Sequence, residues 1–249
     1  MKLGFSTLSV FMKSIDEMLT IAENEGFKTI EILCEGPSSP WFLLENQEKL
    51  EKIDSHNIEI NLHGPSIDLN LASINKGIRA ESVRQICQTI DLAKLINANA
   101  ITIHPGQVGR REKELRKAAL ALATQSVSQC MDYKKEINSD VKISIENLPE
   151  RFSFLCNKPE ELEAIQEETN CSITIDTGHA NTCESPEDFF NLKHIEYFHL
   201  NDNNGEKDQH LPLGDGTLNL SLLKKVNKGI IELSNYDDVL KSKKIIENL

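Results

Sequence analysis

The sequence of 249 residues lacks the segments that would place it in a membrane or a secretory compartment. Its first residues, MKLGFSTLSV, contain no apolar core of the signal-peptide kind, and no apolar run has the length of a membrane span. The six cysteines are scattered without a Cys-x-x-Cys pair, which is typical of reduced thiols. We therefore expect a cytoplasmic protein that has no membrane partner.

Excess positive charge is also missing. The chain carries 27 Lys and Arg residues against 39 Asp and Glu residues, which gives a formal net charge of -12. The densest basic segment, GRREKELRK at residues 109–117, is diluted by Glu and favours a solvated helix face over an anion-binding patch. No linker or low-complexity tract divides the chain, so we predict one domain over residues 1–249. No basic domain or tail indicates a nucleic-acid partner.

A regular alternation of short β-type runs and amphipathic helical stretches fills the chain. Helical spacing is clear over residues 78–97 and 112–137, and Ser14 with Glu17 forms the pattern of a capping box. Ser185 followed by Pro186 is a second helix start. The predicted strands are KLGFS at 2, TIEILC at 29, IEINLH at 58, AITIH at 100, KISIE at 142, SITID at 172, EYFHL at 196 and GIIEL at 229.

Eight such strands alternating with eight helices in about 250 residues predict an α/β protein with a (β/α)₈ barrel. The alternative is an open, doubly wound sheet. That fold would show a Gly-rich phosphate turn after its first strand, and GFSTLSV is not such a turn.

Metal-ligating residue types occur near the ends of six of these strands. In a barrel the carboxyl ends of the strands converge on one face, so the six side chains would share one pocket. Each residue alone has a simpler explanation, as a loop histidine or a helix N-cap. Together, three imidazoles and three carboxylates need a metal or mutual pairing to be tolerated. The six residues are His63, His104, Glu146, Asp176, His199 and Glu232.

Three further residues extend this set beyond what one ion can hold. His179 follows Asp176 by three positions, and Asp208 and His210 have the spacing that points two side chains of an extended loop the same way. Imidazole and carboxylate ligands suit Zn²⁺, with Mn²⁺ and Fe²⁺ as alternatives, better than Mg²⁺ or Ca²⁺. We predict that His199 and His210 belong to different metal centres, although both lie near the seventh strand.

These residues stand in motifs that resemble the xylose-isomerase-like TIM barrels, which include the endonuclease IV family and the sugar isomerases and epimerases. The motifs are HPG at 104, DTGHA at 176, HLND at 199 and LGDG at 213. In the endonuclease family nine ligands hold three zinc ions, and the resemblance implies the same three groups here. The groups are His63, His104 and Glu146; Glu146, Asp176, His199 and Glu232; and His179, Asp208 and His210.

The sequence also departs from the endonuclease pattern. Gln209 stands where those enzymes usually have Arg, and Gly178 stands where they have Cys. Their third-strand loop carries a bulky wedge, whereas GPSIDLNLAS at 64–73 has Pro65 and Ser66 in that neighbourhood. The sugar epimerases need only the group of Glu146, Asp176, His199 and Glu232.

Three functions follow from this resemblance. The first is a multinuclear metal-dependent phosphoester hydrolase, in which Glu146 takes up the proton of the attacking water. The second is a metal-dependent sugar or sugar-phosphate isomerase or epimerase, in which Glu146 and Glu232 move protons at adjacent carbons. The third is a metal-bearing binding module without catalysis. We expect a small phosphorylated or sugar substrate, and only weak binding of DNA.

Overall fold

In the computed structural model, which describes residues 1–249, eight parallel strands close into one barrel. Each strand pairs with its neighbours in sequence, and the last strand pairs with the first. The predicted (β/α)₈ architecture and the position of every strand are confirmed. The strands are β1 Lys2–Ser6, β2 Thr29–Leu33, β3 Glu59–His63, β4 Ala100–Ile103, β5 Lys142–Glu146, β6 Ser172–Asp176, β7 Ile195–Leu200 and β8 Lys228–Ile231.

The α-helices surround the barrel. The two long helices begin and end within two residues of the predicted ranges, because their apolar residues repeat with helical spacing. None of the helices is long and apolar enough to cross a membrane. The helices are α1 Ile15–Asn24, α2 Pro40–Glu45, α3 Lys76–Leu95, α4 Lys113–Glu136, α5 Pro159–Thr169, α6 Thr177–Asn181, α7 Pro186–Phe189 and α8 Tyr236–Glu247.

The strict alternation of eight helices with eight strands was wrong at one connection. Between β6 and β7 the chain forms two short helices, whereas the link from β7 to β8 has only a 3₁₀ turn, Leu220–Lys225. The Asp202 carboxylate explains this difference. It accepts backbone N–H groups of Gly214, Gly216 and Leu218, and so it folds the segment as a loop before a helix can start.

The predicted helix starts are present, although they differ in quality. Ser14 accepts the backbone N–H of Glu17, whose carboxylate accepts the N–H of Ser14 in return, so the capping box before α1 is confirmed. Ser185 occupies the N-cap position of α7 with Pro186 after it, but the Ser185 side chain makes no capping hydrogen bond.

The main hydrophobic core lies between the strands and the helices, whereas part of the barrel interior is polar. Thr102 on β4 and Thr174 on β6 approach to 2.9 Å, although these strands are not neighbours, so the contact crosses the interior. Tyr197 on β7 reaches the same place from another side and contacts Thr102. The interior therefore contains hydrogen-bonded groups directly beneath the face where the strands end.

Candidate metal centre

All nine predicted ligand residues lie on the face formed by the carboxyl ends of the strands. His63, Glu146 and Asp176 are the last residues of β3, β5 and β6. His104 and Glu232, predicted within the fourth and eighth strands, instead follow β4 and β8 by one residue. This small shift still leaves both side chains at the barrel mouth, and the structure brings the nine side chains into three groups with the predicted membership.

Glu146 lies at the centre, and its two carboxylate oxygens face different groups. Oε2 lies 3.1 Å from Nε2 of His104 and 3.5 Å from Nε2 of His63. Oε1 lies 2.8 Å from Nδ1 of His199. A carboxylate that presents one oxygen to each of two donor sets has the arrangement required to bridge two cations.

The second group is almost completely buried. Glu232 Oε2 lies 3.3 Å from Nδ1 of His199, on the same side of the imidazole as Glu146. Asp176 completes the group and is also the N-cap of α6, since its Oδ1 accepts the backbone N–H of His179 at 2.6 Å. Three carboxylates with one imidazole form a strongly anionic set, which a divalent cation would neutralise.

The third group joins the short helix α6 to the β7–β8 loop. Oδ2 of Asp208 lies 3.3 Å from Nε2 of His179 and also 3.3 Å from Nε2 of His210. The two imidazole centroids are 6.2 Å apart. His210 thus faces His179 across Asp208, whereas His199 lies in the second group, as the sequence predicted.

Hydrogen bonds orient three of the imidazoles in the same way. The Nδ1 atoms of His63, His179 and His210 lie 2.9, 2.7 and 2.9 Å from the backbone carbonyls of Gly64, Asn147 and Glu232. A carbonyl only accepts, so each Nδ1 carries a proton and each Nε2 faces Glu146 or Asp208, where a bound cation would meet its lone pair. Metal-ligating histidines usually have this kind of outer partner.

The surrounding carboxylates hold positive charge in the centre. Burial alone lowers the pKa of His63, but the hydrogen bond to Glu146 and the charge of Glu31 raise it to about 9. Burial also lowers the pKa of His179, but the charge of Asp176 and the hydrogen bond to Asp208 raise it to about 10. His210 also reaches a pKa of about 10, since its hydrogen bond to Asp208 overcomes burial.

The two glutamates respond in opposite directions. Burial raises the pKa of Glu146, but the charge of His199 and hydrogen bonds from the imidazoles hold it well below its usual range. Burial raises the pKa of Glu232, and the negative charge of Glu146 adds to this effect.

The donor set fits a divalent cation of the Zn²⁺, Mn²⁺ or Fe²⁺ type. Oε2 of Glu146 is buried and has no well-formed hydrogen bond, although it faces two imidazole nitrogens. A buried carboxylate oxygen without a partner is costly, and a cation held together with His63 and His104 would satisfy it. These two imidazoles differ in access, because His104 is one-third exposed and His63 is buried.

Sequence reasoning missed Glu31, which is fully buried beneath the second group. Its Oε2 accepts from Tyr197 Oη at 2.6 Å and lies 3.0 Å from Nε2 of His199. The run TIEILC contained a signal for this residue, namely a single Glu between two isoleucines of a predicted strand. Alternation identifies one face of a strand, but it does not say whether that face is solvated or turned into the barrel.

Two asparagines that the sequence did not single out hold Asp176 in place. Asn147 Oδ1 accepts the backbone N–H of Asp176 at 2.7 Å. Asn201 Nδ2 donates to Asp176 Oδ2 at 2.7 Å. The Asn201 amide occupies the space above Gly178, which accounts for the glycine at a position where the endonucleases have Cys.

Two arginines of the predicted basic segment contact other parts of the protein. Arg116 forms two 2.7 Å hydrogen bonds to the Glu161 carboxylate and a third to Asn157. Arg111 stacks on Phe152 with its guanidinium 4.6 Å from the ring centroid. Arg116 is therefore a structural residue of the α4–α5 contact and is not available to a phosphate.

Comparison with known proteins supports the architecture and leaves two activities open. The profile of the family described as xylose isomerase-like TIM barrel matches residues 19–239. An uncharacterised protein of Methanocaldococcus jannaschii, MJ1311, is 30% identical over 99% of this chain and 88% of its own length. A probable endonuclease 4 of Thermoplasma volcanium is 24% identical over 81% of this chain and 76% of its own length. A crystal structure of a D-tagatose 3-epimerase-like protein is 30% identical, with a TM-score of 0.86 and coverage of 100% and 96%.

Proposed function

The chain belongs to the xylose isomerase-like TIM-barrel family, and we propose that within this family it is a multinuclear metal-dependent phosphoester hydrolase acting on small phosphorylated substrates. The position of Glu146 carries this proposal. One of its oxygens faces His63 and His104, and the other faces His199, so a single carboxylate links two ligand groups. An epimerase of the four-ligand kind has no use for the first and third groups, which this chain possesses in full.

The metal ions that these residues would hold supply Lewis acidity, which activates water and stabilises oxygens that gain charge during phosphoester hydrolysis. The side chains around them handle the protons. Glu146, the carboxylate at the centre of the site, takes up the proton of the attacking water. When the P–O bond breaks, the leaving oxygen can take this proton from Glu146 or from water.

Several features favour a small substrate over duplex DNA. A cavity of about 100 Å³ borders His104 and is lined by Pro65, Ser66 and Leu148 among others. This space beside His104 is large enough for a small substrate group. The backbone N–H groups of Ser66 and Ile67 donate to the Glu35 carboxylate, so the loop that would carry a wedge is tied down.

A second candidate function is a sugar or sugar-phosphate isomerase or epimerase. The whole-chain similarity to the D-tagatose 3-epimerase-like structure favours it, at 30% identity. The structure also contains the two carboxylates that would move protons in such an enzyme, because Glu146 and Glu232 lie within 3.3 Å of the same nitrogen of His199. Under this alternative the second group alone would suffice for activity.

Metal content and the Asp208→Asn variant separate the two candidates. We expect Zn²⁺ titration of chelator-treated protein to give about three ions for the three ligand groups, and about two for Asp208→Asn. Hydrolysis of small phosphomonoesters and phosphodiesters should fall at least about tenfold in that variant. The matched control is Asp215→Asn, in the same loop, where the carboxylate is ion-paired with Lys241.

Activity assays on a panel of phosphoesters and sugar phosphates complete the test. The hydrolase proposal is wrong if the wild-type protein binds about one ion and interconverts a sugar or sugar phosphate without releasing phosphate. Unchanged activity of Asp208→Asn on phosphoesters would likewise remove the third group from the mechanism.

A further inference from the structure

His199 is oriented in the opposite way from the three imidazoles bonded to backbone carbonyls. Its Nδ1 faces the second group, at 2.8 Å from Glu146 and 3.3 Å from Glu232. Its Nε2 points away from that group into the barrel interior, where it lies 3.0 Å from Oε2 of Glu31. The partner that orients this histidine is therefore a carboxylate.

Glu31 has few other ways to satisfy its charge. The side chain is fully buried, and His199 is the only basic residue with which it forms an ion pair. A buried carboxylate without a partner is strongly destabilising, so the contact with Nε2 of His199 is favoured. An ionised carboxylate can only accept, which requires His199 to carry a proton on Nε2.

A chain of hydrogen-bonded hydroxyl groups in the barrel interior ends on Glu31. Tyr197 Oη donates to its Oε2 at 2.6 Å, and Thr102 Oγ1 lies 2.5 Å from Tyr197 Oη. Thr102 contacts Thr174 at 2.9 Å, and Thr174 donates to Ser144 at 2.7 Å. Because the chain of contacts spans several strands, the acceptor position of Glu31 is set by the barrel itself.

We propose that Glu31 is a positioning residue that directs the Nδ1 lone pair of His199 at the second metal group by holding the proton on Nε2. The inference rests on the proposed metal centre. Histidine ligands that lose such an outer partner typically lose about 10- to 100-fold in metal affinity. Removing the charge of Glu31 should therefore weaken one bound ion and leave the others unaffected.

A first measurement needs no variant. Long-range ¹H–¹⁵N spectra of Zn²⁺-loaded wild-type protein should show His199 protonated on Nε2, whereas His63, His179 and His210 should be protonated on Nδ1. This division is the protonation pattern that a Glu31 carboxylate facing Nε2 of His199 requires. A proton on Nδ1 of His199 would overturn the inference.

The variant Glu31→Gln then tests the effect on affinity. Competition between the protein and a Zn²⁺ chelator should show one ion bound about 10- to 100-fold more weakly, with the remaining ions unchanged. The control is Tyr197→Phe, which leaves the Glu31 carboxylate in place and removes only its hydroxyl donor. We expect this control to lose less affinity than Glu31→Gln.

The outcomes distinguish this inference from the proposed function. Wild-type protein that takes up no Zn²⁺ would overturn both together. Normal uptake by the wild type, with the same affinities and the same His199 protonation in Glu31→Gln, would overturn the role of Glu31 alone. Should Glu31→Gln fail to fold, the wild-type spectra still test the inference, because a proton on Nδ1 of His199 would overturn it.

Discussion

The Asn201 side chain lies so close to the backbone of Gly178 that a Cβ atom there would come within 1.8 Å of Asn201 Oδ1. The same amide donates through Nδ2 to Oδ2 of Asp176, a member of the second ligand group. Gly178 therefore has a packing role in the site, because any side chain at this position displaces the group that holds Asp176.

Replacing Gly178 with Cys, the residue found in the endonucleases, should disturb this arrangement. We expect Gly178→Cys to push Asn201 aside and to weaken Zn²⁺ binding at the second group roughly tenfold. Chelator competition is the measurement. Gly109→Ala is the control, since a Cβ there would meet no atom within 4 Å. Wild-type affinity in Gly178→Cys would contradict the packing role.

Glu146 should be the least replaceable residue of the centre. Glu146→Gln keeps the shape of the side chain but removes the charge shared by the first and second groups. We expect phosphoester hydrolysis to fall at least about a hundredfold, with an unchanged circular dichroism spectrum. Glu163→Gln, an exposed position on α5, is the control for the same chemical change. A folded Glu146→Gln protein with near-normal turnover would remove Glu146 from the mechanism.

Duplex DNA should be a poor substrate. The net charge is -12, and Arg116 is already bound to Glu161. We expect little nicking of an abasic-site oligonucleotide at about 0.15 M salt, where charges on the surface are strongly screened. Small phosphoesters, assayed in the same buffer with Zn²⁺ or Mn²⁺, should be hydrolysed more readily. Efficient nicking confined to the abasic site would show that this prediction is wrong.

His56, which lies outside the metal centre, should contribute a pH-dependent part of the stability. Its Nδ1 lies 2.9 Å from Glu23 and its Nε2 lies 3.2 Å from Asp16. Burial lowers the pKa of His56, but hydrogen bonds to these carboxylates raise it above its ordinary value. The stabilisation is thus complete below the unfolded-state pKa of about 6.5 and disappears as pH rises through the folded-state pKa.

Thermal unfolding of His56→Gln tests this sign. The variant should melt a few degrees below the wild type near pH 5.5, and the gap should close toward pH 9, because only the protonated imidazole pairs with the carboxylates. Glu23→Gln should narrow the same gap, since it removes one of the two charges. A difference in melting temperature that stays constant or grows with pH would contradict the assignment.

Much of this molecule follows from local sequence patterns. Strand runs such as KISIE and SITID end in Glu146 and Asp176, and the (β/α)₈ repeat predicts that such ends meet on one face. For this reason, and with the help of the family resemblance, the sequence predicts which residues belong to each of the three ligand groups. The absence of a helix between β7 and β8 could not be predicted from local patterns. It depends on the Asp202 carboxylate, which accepts N–H groups more than ten residues away.

The tertiary structure alone decided what surrounds those ligands. In sequence, Glu31 is a polar residue on an alternating strand, and it could face solvent as readily as the interior. Closing the barrel places it against His199, which is distant in the chain but lies across the barrel interior. The contact between Gly178 and Asn201 has the same origin, since it forms only where the end of β6 meets the end of β7. Sequence patterns thus determine which residues reach the mouth, whereas the closure of the barrel determines which atoms of those residues face one another.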